Sequence, residues 1–211
     1  MKCLTKFILL ITCLTCGCGP TLYHPLAKPG KDARDDRIYG TWLYVEKGKI
    51  HKAQYVHIGF NKETKETTVL FSGVSPKGDF EKGEFTGHTS IIRGNNYFST
   101  RFVEECKPSK SYAIVKYEIK NNVIIIYIME SEPFDKAVEA GEIKGKIEKD
   151  DIISNTVITD SPKRIKQFIL ENEKELFSGK SIKLYKINAE HVFAGDSRPV
   201  ETNNQKQGGS P

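Results

Sequence analysis

The side chains that could do metal, thiol or acid–base chemistry are few and scattered. The five histidines are His24, His51, His57, His88 and His191. His57 and His88 fall in segments that read as strands, from which they could meet across a sheet and, with a carboxylate, hold a metal. Zinc needs three or four such ligands, and the spacing specifies no third. Two half-buried strand histidines are the better account, and no metal or other cofactor is assigned. Of the five cysteines, four lie within residues 1–18, and Cys106 alone remains as a candidate free thiol. Its neighbours Glu104 and Glu105 disfavour a reactive thiolate, which needs positive surroundings. The pairs Asp35-Asp36, Glu104-Glu105 and Asp150-Asp151 fall beside turns or in linkers, whereas an acid/base pair needs unlike environments. There is no Gly-rich phosphate loop, Gly-x-Ser-x-Gly elbow or His-Glu-x-x-His motif. No catalytic residue is assigned, and the sequence points away from an enzyme.

The N-terminus is more informative. Lys2 and Lys6 form a short basic start, and Phe7 to Leu14 is mostly apolar. That run is too short to span a bilayer core, which takes roughly 20 apolar residues. A basic start, a short apolar stretch and small residues after it describe a secretory signal. Leu14-Thr15-Cys16-Gly17-Cys18-Gly19 resembles the lipobox of bacterial lipoproteins. The resemblance implies a signal over 1–17 and acylation of Cys18, which follows the small Gly17. Cys16, which follows Thr15, is the alternative. Several acyl chains on one cysteine would anchor the protein stably, where one chain holds only marginally. Gly19 stands where inner-membrane retention usually shows Asp, so the resemblance favours the outer membrane of a diderm envelope.

Charge and composition bound the rest. The net charge of +5 falls by two if Lys2 and Lys6 are removed, a mild excess spread along the chain. That gives no support to nucleic-acid binding. Residues 18–36 hold Pro20, Pro25, Pro29 and Gly30 without an apolar period and read as a tether. Residues 189–211 are polar and cannot bury enough surface to offset ordering, so a disordered tail is expected. One domain is left over 37–188.

That domain is patterned for strands. Trp42 and Tyr44 alternate with Leu43 and Val45; Val56, Ile58 and Phe60 share a face, as do Val69 and Phe71. Further strand-length runs are 85–92, 97–103, 112–119, 123–129, 152–159 and 182–187. Turn signals at Asn61-Lys62, 76–79, 94–96 and Asn121-Asn122 separate them. The pattern predicts a mainly β fold, an antiparallel barrel or curled sheet of roughly eight to ten strands. Val123 to Met129 is apolar on both faces and needs cover on both. Two helices could supply it outside: Pro133 to Ala140, and a longer one opening at Ser161-Pro162 with Ile165, Phe168, Ile169 and Leu176 as its stripe and Gly179 as its stop.

Gly40-Thr41-Trp42 at the head of the first strand resembles the Gly-x-Trp signature of lipocalin-like barrels. The wider order, through 55–59 and 112–119 to the late helix and 182–187, is similar to lipocalin-like bacterial lipoproteins over about residues 37 to 188. The family's Thr-Asp-Tyr turn is absent. The resemblance implies that Trp42 plugs one barrel end. Tyr44, Tyr97, Tyr117 and Tyr127 could line a ligand pocket or simply fill the core. The reading is a non-enzymatic, membrane-anchored envelope lipoprotein that binds a small apolar ligand. The alternative is an interaction lipoprotein with a filled barrel that contacts an envelope protein.

Overall fold

Two tight turns fix the central hairpins. Arg93 and Gly94 (φ 47° and 83°) turn one, and Asn121 and Asn122 (φ 47° and 62°) turn the other. Two successive left-handed residues match the twist of the flanking strands. The first turn comes earlier than expected: Asn95 and Asn96 already pair with Ile92 and Ile91. The structure, a computed structural model, describes residues 19–27, 34–45, 53–75, 78–104, 107–149 and 154–187. The expected signal at 1–17, Cys16, Cys18, Cys106, the Asp150-Asp151 pair and the 189–211 tail lie outside the described residues.

The strands and helices are β1 (Thr21–Leu22), β2 (Gly40–Val45), β3 (Ala53–Asn61), β4 (Glu66–Val74), β5 (Phe80–Ile92), β6 (Asn95–Glu104), β7 (Lys107–Pro108), β8 (Ala113–Lys120), β9 (Val123–Ile128), α1 (Glu132–Glu139), β10 (Gly145–Lys149), β11 (Ser154–Ile158), α2 (Pro162–Glu171), α3 (Glu173–Leu176) and β12 (Ser181–Lys186). A 3-10 turn spans Asp36–Ile38. Eight strands pair antiparallel in the order β5-β4-β3-β2-β12-β9-β8-β6, and β5 also pairs with β6. The result is a closed eight-stranded barrel with three short helices outside it. Closure leaves no long edge exposed. Inside β5, glycines permit the bend: a Cβ at Gly87 would run into the Ser99 carbonyl, and one at Gly83 into the Phe71 ring.

Strand parity divides the apolar side chains into two cores. The inner core includes Trp42, Val56, Ile58, Phe71, Phe85, Phe98, Tyr117, Ile124 and Leu184. The outer core packs Tyr97 and Ile114 from the barrel wall against Phe134, Ile143, Ile158, Ile165, Phe168, Ile169 and Leu176. The both-faced apolar character of β9 follows: Ile124 and Ile126 point in, while Tyr127 packs on the outer core. Glu173 of α3 ties this layer to the wall. Its Oε1 accepts from Asn95 Nδ2 (2.7 Å) and the Tyr97 hydroxyl (2.9 Å), and Lys116 Nζ pairs with it at 2.8 Å.

Three sequence expectations need correcting. The late helix is broken at Asn172, whose side-chain amide and backbone N–H both donate to the Phe168 carbonyl at 3.0 Å. Such a side chain competes for the helix's own acceptors. Within the strand run expected at 152–159, Ser154–Ile158 form β11, but outside the barrel, in a small sheet ordered β1-β11-β10. The tether over 18–36 is docked in part: Leu22 is 0% exposed and Leu26 1%. Leu22 exchanges backbone hydrogen bonds with Tyr112 (2.7 and 2.8 Å), and the Leu26 N–H donates to Ser99 Oγ at 3.0 Å. The described tether residues 19–27 therefore pack on the body. A two-residue strand among prolines carries no period that sequence patterning could register.

Candidate functional site

The barrel has two unlike ends. The turns at 62–65, Arg93-Gly94 and Asn121-Asn122 mark one of them. Residues 35–39 cross this end from wall to wall. The Tyr117 hydroxyl of β8 donates to Asp35 Oδ2 at 2.8 Å, Arg37 donates to Asn96 Oδ1 of β6 at 3.0 Å, and Tyr39 meets Thr67 Oγ1 of β4 at 3.3 Å. Trp42 is 1% exposed here, and its Nε1–H donates to the Ile38 carbonyl at 2.7 Å. Lys186 Nζ lies 5.3 Å from the centre of its ring. The arrangement forms a cap.

Asp35 and Arg37 hold the cap by charge. Burial alone would raise the Asp35 carboxyl pKa. Hydrogen bonds from the Arg37 guanidinium (2.7 and 2.8 Å), the Tyr117 hydroxyl and the Arg37 amide outweigh it and leave the carboxyl below its usual range. Burial, then the Asp35 contact, pushes the Tyr117 hydroxyl pKa far up. Tyr117 therefore stays protonated and donates.

Above the cap lies a cavity of about 120 Å³. Ile38 and Tyr117 form its floor, and Ile126, Ile128 and Ile182, all partly exposed, lie towards the other end. No charged group lines it; the only hydroxyls in its wall belong to Thr100 and Tyr117, and the Tyr117 hydroxyl is engaged by Asp35. An apolar cavity of this order stays dry and takes small hydrocarbons. Among the predicted lining tyrosines, Tyr117 alone forms the wall. Tyr44 packs on the inner core but outside the cavity wall, whereas Tyr97 and Tyr127 face the outer core. Adjacent aromatic and apolar residues on both faces of β6 and β9 hid the parity, which only pairing around the whole ring fixes.

The histidines do not come together. His57 lies on β3, with Nδ1 3.0 Å from Thr41 Oγ1, and His88 on β5, with β4 between the two strands. His88 is 1% exposed, and its Nε2 is 3.3 Å from Glu66 Oε1. Glu66 also accepts from Arg101 (2.8 Å) and Thr86 (2.9 Å). This group sits in the wall with Arg101 partly exposed, and its partners satisfy a mostly buried carboxylate. Among the described residues no three or more His, Cys, Asp or Glu side chains are grouped to hold a metal.

No protein-family model matches the chain, and no curated protein or solved structure matches it. The barrel is established by strand register alone. No helix among the described residues is long and apolar enough to cross a membrane, which says nothing of strands.

Two buried groups set an acid response. Burial holds the His88 pKa below the ordinary 6.5 despite the nearby Glu66, so the folded state resists protonation. Its stabilising share is complete above pH 6.5 and declines as pH falls from there towards the folded value. The Asp35 share is complete above the ordinary carboxyl value of 3.8 and is lost as pH falls through its depressed folded value. Urea melts from pH 7 to 3 should show a decline in two stages. His88→Gln should flatten the upper stage and Asp35→Asn the lower. A wild-type midpoint that stays level across this range would refute both assignments.

Proposed function

We propose that this protein is a membrane-anchored envelope lipoprotein, acylated at Cys18 or alternatively Cys16, whose barrel binds the apolar end of a small ligand such as a short acyl chain. It is read as a non-enzymatic binding module. The observation that carries the reading is the cavity: wholly apolar in charge terms, closed below by Ile38 and the 35–39 crossing, and walled near the other end by partly exposed isoleucines. A pocket of this kind selects by shape and hydrophobicity rather than by hydrogen bonding. Its size suits several methylenes of an acyl chain. The Gly40-Thr41-Trp42 resemblance to lipocalin-like barrels agrees with Trp42 acting as the plug. The anchor rests on the apolar run and lipobox-like residues of the N-terminus.

Narrowing the cavity tests this. Ile126 is partly exposed, so Ile126→Phe should be accommodated with at most about 1–3 kcal/mol of strain. Displacement of a fluorescent short-chain fatty acid should weaken by about tenfold or more, roughly 1.4 kcal/mol. Equal affinity for the variant and the parent, or no binding by either, defeats the proposal.

A second reading, an interaction lipoprotein with a filled barrel, is favoured by a different face. Tyr185, Leu43 and Tyr55 are cross-strand neighbours on β12, β2 and β3, and Tyr55 and Tyr185 are exposed. Such a row suits an envelope protein partner.

A further inference from the structure

The anchor and the open end of the cavity lie at the same end of the barrel. Gly19 is the first described residue, and a Cβ placed on it would sit 3.1 Å from the Met129 carbonyl oxygen. Met129 follows Ile128, the last residue of β9, at the end opposite the 35–39 cap. From there the segment runs along the outer wall, pairing at Leu22 with Tyr112 and at Leu26 with Ser99. A lipid anchor at Cys18, the residue covalently before Gly19, would therefore pull on this end.

The opposite side of the same rim is apolar and exposed. Val74 ends β4 and Phe80 begins β5, the two are register partners, and they are 52% and 70% exposed. Around the ring β4 lies four strands from β9, which is halfway. Among the described residues, the rim thus has the point next to the proposed anchor on one side and two exposed apolar side chains on the other. A lone exposed apolar residue needs no explanation, but a register pair directly across the mouth from the anchor point fits an interface with hydrocarbon.

We infer that the barrel is held mouth-down on the bilayer, with Val74 and Phe80 in the headgroup–acyl boundary and the 35–39 cap facing away. This rests on the lipoprotein reading above, and it names the partner: the phospholipid surface that carries the anchor. The open end of the cavity, near Ile128 at the end of β9, then faces the bilayer, so the end of an acyl chain can enter the cavity without crossing water.

The test uses the full chain, extracted with its anchor and reconstituted into phospholipid vesicles with brominated acyl chains. Single tryptophans are added at the rim, Phe80→Trp, and near the cap, Ile91→Trp, a site that is 65% exposed. Trp42, buried at the cap, stays in place as a constant background. The expected result is strong bromine quenching of the added Phe80→Trp emission, with Ile91→Trp and wild type spared. Intact mass and vesicle flotation are read on the same samples. Acylated, vesicle-bound protein in which Phe80→Trp is spared, or Ile91→Trp is quenched as strongly, overturns the orientation and leaves the anchor standing. Unmodified Cys16 and Cys18 with no flotation overturn the anchor, and the orientation with it.

Discussion

Trp42→Ala should lower the unfolding free energy by about 3–5 kcal/mol, the usual cost of emptying a large aromatic from a core. The side chain is buried in the inner core, so little of the lost contact can be recovered by collapse. A second term adds to it. The Trp42 Nε1–H serves the Ile38 carbonyl, and a buried acceptor left without a donor costs about 1–3 kcal/mol. Trp42→Phe separates the terms, because it keeps most of the volume and removes only the donor. Wild-type emission should be blue-shifted and resistant to iodide. Urea melts at one pH give all three midpoints. An alanine variant within about 0.5 kcal/mol of wild type would place Trp42 at a surface, contrary to its position in the cap.

Leu22→Ala is the second large effect, expected at about 2–5 kcal/mol. In a free tether the same change would stay within about 0.5 kcal/mol. The side chain is buried between the barrel wall and the small outer sheet, and its neighbours are fixed by backbone bonds to Tyr112 and Ile158. Removing it should also release the segment locally, so hydrogen exchange at the Leu22 and Tyr23 amides should quicken more than exchange in β3 or β4. Unchanged melts together with unchanged exchange would mean that residues 19–27 do not brace the body. An anchor at Cys18, as proposed above, would then have slack, and the proposed mouth-down orientation would lose one of its two points.

How much of this could be read from the chain depends on the kind of signal. The barrel strands were legible because their apolar residues recur every second position over six or more residues, with Asn and Gly between them. The helix stripe of Ile165, Phe168, Ile169 and Leu176 was legible because a 3.6-residue period survives the break at Asn172. β1 was hidden because two residues have no period. β10, Gly145-Lys146-Ile147-Glu148-Lys149, was hidden because it has a single apolar residue among charges. The cavity depends on which face of each strand turns inward. Where Tyr97 neighbours Phe98 and Tyr127 neighbours Ile126, hydrophobicity cannot distinguish the faces, and closure of the ring decides. The cap has no local signature either. Asp35 meets Tyr117 across 82 positions of sequence, and the acidic run at 35–36 looked like a solvated linker. The proposed anchor is the reverse case: it rests wholly on the residue pattern of 1–19.

The central claim, an apolar lumen that takes an acyl chain end, is tested most directly by methyl NMR of isoleucine-labelled protein titrated with a short-chain fatty acid. The lumen and the outer core each contain isoleucines, so the protein carries its own control. Methyl resonances of Ile124, Ile126, Ile128 and Ile182 should shift together and saturate. Those of Ile114, Ile143, Ile165 and Ile169, in the outer core, should stay in place. Shifts confined to the outer set, or no shifts at saturating ligand, would contradict the account.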